Sequence, residues 1–381
     1  MNKVYLGDVV KRVRDKVDKN KTDLEFYIGG EHFDNGEVTI VKKGRIEGST
    51  IGPAFQMRFK PNHVLLMSRN PHLRKAGVVD FEGICSDVSY VCETKDESIL
   101  RQRFLPFLFQ TDHFWDFAEA NKKGSTNFFL NWSDFERYEF YLPDPKEQDK
   151  LAELLWAAND TKEAYKKLLS LTDDLVKSQF IEMFGDPVTN PMGWKMIELG
   201  ECLTSIDSGK SLNCENYSRT NSEPAILKLS AVTYGFYQPD ENKVLPNSDM
   251  FIDRAEVRNG DLLFSRKNTY EYVGMSAYVY ETPGKLMLPD LIFRLNTDDS
   301  CNRIYLWKLI NHDMYRKNVS ELANGTASSM PNISKLKLSH LLIPFPPLTL
   351  QKQFADFVRQ TDKSKFICYP NFQIAIYRDV W

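Results

Sequence analysis

The feature that most constrains this chain is a repetition, because one stretch of sequence occurs twice. Residues 61–69 read PNHVLLMSR and residues 258–266 read RNGDLLFSR, so five of nine positions match at an offset of 197 residues. Such a period is far longer than the roughly 20–50 residues of solenoid repeats. We therefore expect two copies of one module. Later matches lie at an offset of 201, which indicates one short insertion: Gly124 with Gly325, Asn131 with Asn332, Ser133 with Ser334, and Pro143 with Pro344.

Length and charge agree with two lobes. The chain has 381 residues, enough for two or three domains of about 100–200 residues. Residues 1–142 carry 21 basic and 21 acidic side chains, residues 189–343 carry 17 and 18, and residues 143–188 between them carry 6 and 10. The net charge of −3 excludes a protein that coats nucleic acid by bulk electrostatics, although a nearly neutral lobe can still present one basic face.

Other motifs narrow the class of protein. The six cysteines form no CxxC pair, and no cysteine has a histidine at zinc-finger spacing. No apolar run is long enough for a signal peptide or a membrane span. The sequence also lacks GxGxxG, Walker, HExxH and Asn-Pro-Pro-aromatic motifs. We therefore expect a soluble cytoplasmic protein with no catalytic residues, no metal site and no cofactor of its own.

Both copies contain short runs rich in Val, Ile, Tyr and Phe, separated by Gly, Asn and Pro. This pattern predicts an α+β fold in which each copy has a curved, mostly antiparallel sheet. Each copy also has a late helical run, at residues 104–121 and 303–324, that ends at Asn before a Gly-Ser or Gly-Thr turn. The predicted strands lie within residues 26–30, 36–44, 63–68, 225–237, 261–265, 275–281 and 291–296.

A long helix is predicted between the copies, because residues 147–183 contain no Pro or Gly. About 35 helical residues make a rod of roughly 50 Å. Its narrow apolar stripe is typical of a helix that pairs with a second helix, and the alternative is a lone helix lying on one lobe. The stripe consists of Leu151, Leu155, Ala158, Tyr165, Leu169 and Val176.

The second copy ends in a matching but shorter helix, predicted from Gln351 to about Phe366. The residues after it do not continue the helical pattern. Four pairs relate the two helices at an offset of 203 residues: Gln148 with Gln351, Leu151 with Phe354, Ala152 with Ala355, and Leu154 with Phe357.

Several phrases in the right order make the chain similar to a known family. They are LPDPKEQDKLAELL at 142–155, MFGDPVTNPMGWKMIELGE at 183–201, NGDLLFSR at 259–266, NGTASSMPNISKLKLSHLLIPFPP at 324–347 and IPFPPLTLQKQF at 343–354. With these, the chain resembles the specificity subunit of type I restriction-modification enzymes. The resemblance implies target recognition domains at 1–142 and 187–343. It also implies an antiparallel coiled-coil spacer, formed by a central helix within 143–186 and a shortened helix with an irregular tail within 344–381.

The resemblance also implies a function. A specificity subunit is not catalytic: it binds double-stranded DNA and positions adenine-methyltransferase (modification) subunits, here expected to be two, with or without a restriction subunit. S-adenosylmethionine would bind those partners, and no membrane is involved. Each lobe would read one half of a bipartite site, with half-site centres about 10–15 base pairs apart for a rod of this length. The alternatives are a DNA-binding scaffold of another phage-defence system and a self-contained DNA-modifying enzyme.

Candidate contact residues follow from chemistry, since base edges need paired donors and phosphates need cations or amides. The Ser-Arg step ends an apolar strand in both copies, although an arginine repeated in this way could equally stabilise the fold. We read the turns at 42–45, 124–125 and 325–326 as structural. The DNA candidates are Arg69, Asn70, His72, Arg74, Lys75, Lys210, Ser211, Arg266, Lys267, Asn268 and Tyr270. The candidates for the spacer and for partner binding are Gln148, Gln351, Phe354, Phe357 and the six stripe residues above.

Overall fold

The chain forms two compact units in this computed structural model, residues 1–167 and residues 168–368. The structure describes residues 2–214, 217–323 and 330–368, the last six as helical backbone only. The predicted turn at Gly325 and the predicted irregular tail from residue 369 lie outside the described residues.

The first unit is built from three small sheets and four short helices. One sheet pairs β1 with β10, a second has the order β2-β9-β6-β7, and a third has the order β4-β3-β8-β5. The strands are β1 (Asn2–Tyr5), β2 (Val10–Val13), β3 (Phe26–Ile28), β4 (Gly44–Arg45), β5 (Phe55–Phe59), β6 (Val64–Met67), β7 (Ala76–Val78), β8 (Gly83–Ser86), β9 (Ser89–Thr94) and β10 (Glu139–Leu142). The helices are α1 (Leu6–Val9), α2 (Leu105–Leu108), α3 (Asp112–Ala120) and α4 (Trp132–Phe135).

The second unit repeats this plan after the long helix α5 (Pro145–Phe184). Its sheets have the orders β11-β19, β12-β18-β15-β16 and β14-β13-β17. The strands are β11 (Lys195–Glu198), β12 (Leu203–Ser208), β13 (Ala225–Leu227), β14 (Asn242–Val244), β15 (Leu262–Ser265), β16 (Ser276–Tyr278), β17 (Leu286–Met287), β18 (Ile292–Thr297) and β19 (Leu342–Phe345). The helices are α6 (Ser230–Thr233), α7 (Arg303–Asn311), α8 (Arg316–Ser320), α9 (Lys335–Ser339) and α10 (Leu348–Cys368).

The predicted α+β class and the mostly antiparallel sheets are confirmed. Each unit adds one parallel pair, β3 with β8 and β13 with β17. Two predicted helical runs were wrong in detail, because each divides into two helices. The first run breaks at Thr111, whose hydroxyl accepts a hydrogen bond from the amide of Phe114 and so starts α3. The second breaks at His312, which has an extended backbone conformation.

The repeated Leu-Leu strand is buried on both faces, which explains its unbroken apolar sequence. In β6, Val64 and Leu66 contact the helical core of the first unit, whereas Leu65 contacts the core beneath the second sheet. In β15, Leu262 and Phe264 face the helices and Leu263 faces the other sheet. Alternate strand residues point to opposite faces, so a strand sandwiched between two layers needs apolar residues throughout.

Candidate nucleic-acid interface

Backbone hydrogen bonds show which residues of the two copies are equivalent near the strand ends. The amide of Ser68 donates to the carbonyl of Val88, as that of Arg266 does to Leu291. The backbone of Arg69 pairs with Phe129, and that of Lys267 with Asn332. The offset here is therefore 198 residues, not the predicted 197. Ser68 corresponds to Arg266, Arg69 to Lys267, and Asn70 to Asn268.

The later matches also shift, to an offset of 203. Leu130 donates its amide to Ser68, and Ile333 does so to Arg266. Pro143 corresponds to Pro346, since each carbonyl accepts a hydrogen bond from a glutamine side chain, that of Gln148 or Gln351. The predicted pairing of Pro143 with Pro344 was wrong by two residues, and the predicted pairing of the two glutamines is correct.

The first unit presents two of its candidate residues to solvent. Arg69 and His72 are exposed, and no hydrogen bond or ion pair joins the Arg69 side chain to another residue in the described part of the chain. Asn70 is half-buried and adopts the left-handed conformation that the turn requires. The other two cations bind inside the unit: Arg74 forms an ion pair with Asp112, and Lys75 donates to the carbonyl of Gly30 at 2.6 Å.

The candidate residues of the second unit are held more tightly. Arg266 donates through Nε to the Asn332 side chain at 3.0 Å, with its guanidinium over the ring of Phe293. Asn268 is buried, and its Nδ2 donates to Thr233 Oγ1 at 3.1 Å. The structure therefore corrects the interpretation of Asn268 as a DNA contact, because a buried amide that is already bonded cannot reach a base edge. Lys267 is half-buried.

Lys210 and Ser211 follow a glycine that the fold requires. The backbone at Gly209 passes so close to Leu288 that a Cβ atom would lie 1.6 Å from its carbonyl oxygen. Lys210 is exposed beyond this close approach, whereas Ser211 donates to Asp290 Oδ1 at 2.5 Å. Lys210 therefore stays a predicted phosphate contact, and Ser211 is a weaker candidate because its hydroxyl is already bonded.

The two loops that follow the equivalent strand ends are unlike each other. Four residues (71–74) separate Asn70 from Lys75 in the first unit, and six (269–274) separate Asn268 from Met275 in the second. Arg74 and Gly274 close these loops with left-handed backbone conformations. The two additional residues bring in Tyr270, which is 55% exposed, and Tyr272.

A second pair of loops lies beside them and was missed by the sequence patterns. Gly36 and Gly235 are equivalent and both have positive φ. The following residue is Glu37 in the first unit and Phe236 in the second. Residues 225–237 were predicted as one strand, but the strand ends at Leu227 and α6 follows. The exposed rings of Tyr234 and Phe236 therefore lie on a loop.

Glu37 binds two lysines of α5 in the first unit. Its carboxylate lies 2.8 Å from Lys162 Nζ and 2.7 Å from Lys166 Nζ. Burial alone would raise the pKa of Glu37, but the hydrogen bonds from Lys162 and Lys166 outweigh it and hold the pKa below the ordinary value. These two ion pairs therefore hold the loop around Glu37 against α5.

The glutamines predicted as spacer residues have a different role. Gln148 is fully buried and bonds three backbone groups, the carbonyls of Ile99 and Pro143 and the amide of Arg101. Gln351 accepts from the amide of Asn302 and donates to the carbonyl of Pro346. The structure corrects the partner-binding assignment, because each glutamine ties the first turn of a helix into its own unit.

The predicted apolar stripe of α5 is largely turned inward. Leu151 and Leu155 contact the core of the first unit, and Val176 is buried in the second. Ala158, Tyr165 and Leu169 are half-buried. An apolar stripe that the sequence reading missed lies on another side of the helix and remains exposed, with Leu154, Leu168, Leu171 and Leu175 at near-heptad spacing.

The end of α5 meets the beginning of α10 inside the second unit. Phe354 is buried, with its ring 5.5 Å from Phe180 and 5.3 Å from Phe184. Phe357 is half-buried against the same core. The last turns of one helix thus contact the first turns of the other, as the predicted antiparallel pairing requires. Phe354 serves this internal contact and is not available to a partner.

The described residues contain neither a metal-binding cluster nor a membrane-spanning helix. No group of three or more His, Cys, Asp or Glu side chains is arranged to hold a metal ion in that part of the chain. No helix there is long and apolar enough to cross a membrane.

Comparison with known proteins gives the following. No family model matches the chain. It is 31% identical over 185 residues to the type I restriction enzyme EcoEI specificity subunit of Escherichia coli, covering 47% of this chain and 31% of that one. It is 32% identical over 179 residues to a Methanocaldococcus jannaschii protein named as the MjaX specificity subunit of a type I restriction enzyme, covering 45% and 40%. The matches thus span less than half of either relative.

One solved structure shares the fold along most of the chain. It is the type I restriction-modification system S subunit from M. genitalium, with a TM-score of 0.58 at 14% identity, covering 95% of this chain and 89% of that one. The predicted resemblance to specificity subunits is confirmed by these relatives, and the predicted architecture by this fold.

Proposed function

We propose that this chain is the sequence-specific DNA-recognition subunit of a type I restriction-modification complex, acting in the cytoplasm. One observation carries the proposal: both units have the same pattern of hydrogen bonds. The pattern includes the backbone bonds at the strand-end loops and the glutamine that holds the start of the following helix. Residues 1–142 and 187–343 act as the two recognition domains. Each reads one half of a bipartite site, and neither carries out chemistry.

Differences between the loops support two different half-sites. The first unit offers the exposed cation Arg69 and the exposed His72, and the second offers the exposed Lys210 and a loop that carries tyrosines. Cations of this kind contact phosphates, and polar or aromatic side chains distinguish base edges. The unbroken 40-residue helix α5 supports a fixed spacing between the half-sites, of about 10–15 base pairs between their centres.

Modification subunits, two in number, are the proposed partners of the helices. They would bind S-adenosylmethionine and extrude the target adenine, a step that requires base flipping. The exposed leucine stripe of α5 supports an apolar dock. Replacing Leu168→Glu and Leu171→Glu together should then abolish co-purification with the modification subunit while the chain stays folded. Unchanged co-purification would place the dock elsewhere.

Methylome sequencing tests the function directly. The chain is co-expressed with its modification subunit in a host that lacks adenine methylation, and each protein alone serves as a control. We expect methylation of one bipartite motif only when both are present. Replacing residues 1–142 by another recognition domain should change one half of the motif. Methylation by this chain alone, or a change in both halves after the replacement, would contradict the proposal.

A further inference from the structure

The second unit carries exposed aromatic rings on the loop around Gly235 and on the loop at 269–274. Tyr234, Phe236 and Tyr270 are 57%, 51% and 55% exposed. Tyr234 stacks near Phe236 with 6.5 Å between ring centroids, and Tyr272 meets Tyr234 edge-on at 5.7 Å. We call Tyr234, Phe236, Tyr270 and Tyr272 the aromatic patch. Large rings that are more than half exposed on neighbouring loops indicate a binding surface.

The loops that carry the patch are fixed by buried hydrogen bonds. Asn268 Nδ2 donates to Thr233 Oγ1 and so joins the base of one loop to the base of the other. Trp307 Nε1 donates to the carbonyl of Gly235 at 2.9 Å. Gly235 lies between Tyr234 and Phe236 in the sequence. A surface held rigid before binding loses little conformational entropy when a ligand arrives.

The equivalent positions of the first unit contain no such rings. Asn35 and Glu37 flank Gly36 where Tyr234 and Phe236 flank Gly235, and the loop at 71–74 has no Phe, Tyr or Trp. Because the two units share one backbone arrangement, we expect equivalent loops to contact equivalent positions of the two half-sites. The aromatic patch therefore belongs to the loops of the second unit and not to the frame that both units share.

The size of the patch favours DNA over a protein partner. Aromatic side chains bury about 150–250 Å² each, so roughly half of three rings offers about 300 Å². A stable protein interface needs about 800 Å² on each partner. Apolar rings of this number suit a different task, in which a side chain presses into a base-pair step and stacks on the exposed bases.

We propose that Tyr234, Phe236 and Tyr270 form an aromatic wedge that opens one base-pair step of the half-site read by the second unit. This inference rests on the proposed function. Specificity at that step then arises from the cost of unstacking it, which is smallest for pyrimidine–purine steps such as TA and CA. The first unit reads its half-site without such a wedge.

The test uses the full chain in complex with its modification subunit. The duplex carries the motif found by methylome sequencing, with 2-aminopurine in turn at positions of the half-site that the replacement of residues 1–142 leaves unchanged. On binding, we expect fluorescence to rise at one step. The double variant Tyr234→Asn with Phe236→Gln, which removes both rings without adding a charge, should abolish the rise and weaken binding about 10- to 100-fold, with an unchanged salt dependence because no charge is lost or gained.

Controls separate the possible outcomes. Tyr217→Ser removes a ring that is 58% exposed in the same unit but outside both loops, and should change neither signal. The variant Tyr270→Ser tests the second loop alone and should lower the fluorescence rise in part. Unchanged affinity of the double variant, or weaker assembly with the modification subunit but normal DNA binding, would overturn the wedge. If the parent complex methylates no motif at all, it is the proposed function that fails.

Discussion

The two units of this protein have the same hydrogen-bonded frame and unlike loops. In both, the strand-end backbone pairs with a later segment, and a buried glutamine holds the start of a helix. The loops beside this frame differ in length and chemistry: Glu37 binds lysines in the first unit, where Phe236 meets solvent in the second. A frame whose bonds involve backbone groups tolerates exchange of loops, because the loop side chains contribute little to it.

The largest effect should come from breaking the frame at its glutamines. Gln148→Leu leaves one buried and two partly buried backbone groups without these partners, so we expect a loss of about 3 kcal/mol in the free energy of unfolding. Gln351→Leu should act in the same way through Asn302 and Pro346. Urea denaturation measures both losses. The control is Gln353→Leu on the exposed face of α10, which should change stability by less than about 0.5 kcal/mol.

Unequal results at the two glutamines would sharpen the comparison. If Gln351→Leu were harmless while Gln148→Leu unfolded the first unit, the frames would be alike in geometry but not in energy.

A smaller effect separates the two arginines that the sequence repeats. Arg69 is exposed, so Arg69→Ala should leave thermal stability unchanged, weaken DNA binding and lower the salt slope by about 0.9. Arg266 is bonded to Asn332, so Arg266→Ala should destabilise the second unit by about 1 kcal/mol. Thermal denaturation and DNA titrations at several salt concentrations measure the two effects. Loss of stability in the Arg69 variant would show that both arginines are structural.

The strands at the centre of each unit could be predicted from sequence, but their alignment could not. Residues 63–68, 261–265 and 291–296 read as strands and are strands. A strand buried on both faces has no alternation of apolar and polar residues to fix its register. Matching Leu with Leu therefore gave an alignment of the two copies that was wrong by one residue. Hydrogen bonds to residues 128–130 and 331–333, distant in sequence, set the true register.

The loops of the candidate site were predictable only in part. Arg69 and Lys210 were chosen as cations that follow a strand end, and both are exposed, so they stay predicted DNA contacts. Asn268 looked the same in sequence, yet its burial depends on Thr233, a residue 35 positions away. Tyr234 and Phe236 were missed because residues 225–237 are rich in strand-forming types, and the left-handed backbone at Gly235 ends any strand there. An aromatic–Gly–aromatic triplet was the available signal for a loop.

The smallest predicted effect concerns the charge that distinguishes Glu37 from Phe236. Since the folded state lowers the pKa of Glu37, its contribution to stability is present above the unfolded pKa, near 4.5, and is lost as the pH falls through the folded value. Lys166 is largely exposed, so Glu37→Gln should cost less than about 1 kcal/mol at pH 7, and this cost should become smaller as the pH falls from 7 to 3. Urea denaturation at both pH values measures this, and Phe236→Gln, at the equivalent position, should show no such pH dependence. A Glu37 deficit as large at pH 3 as at pH 7 would mean that the side chain acts by packing, and the two loops would then differ in shape and not in charge.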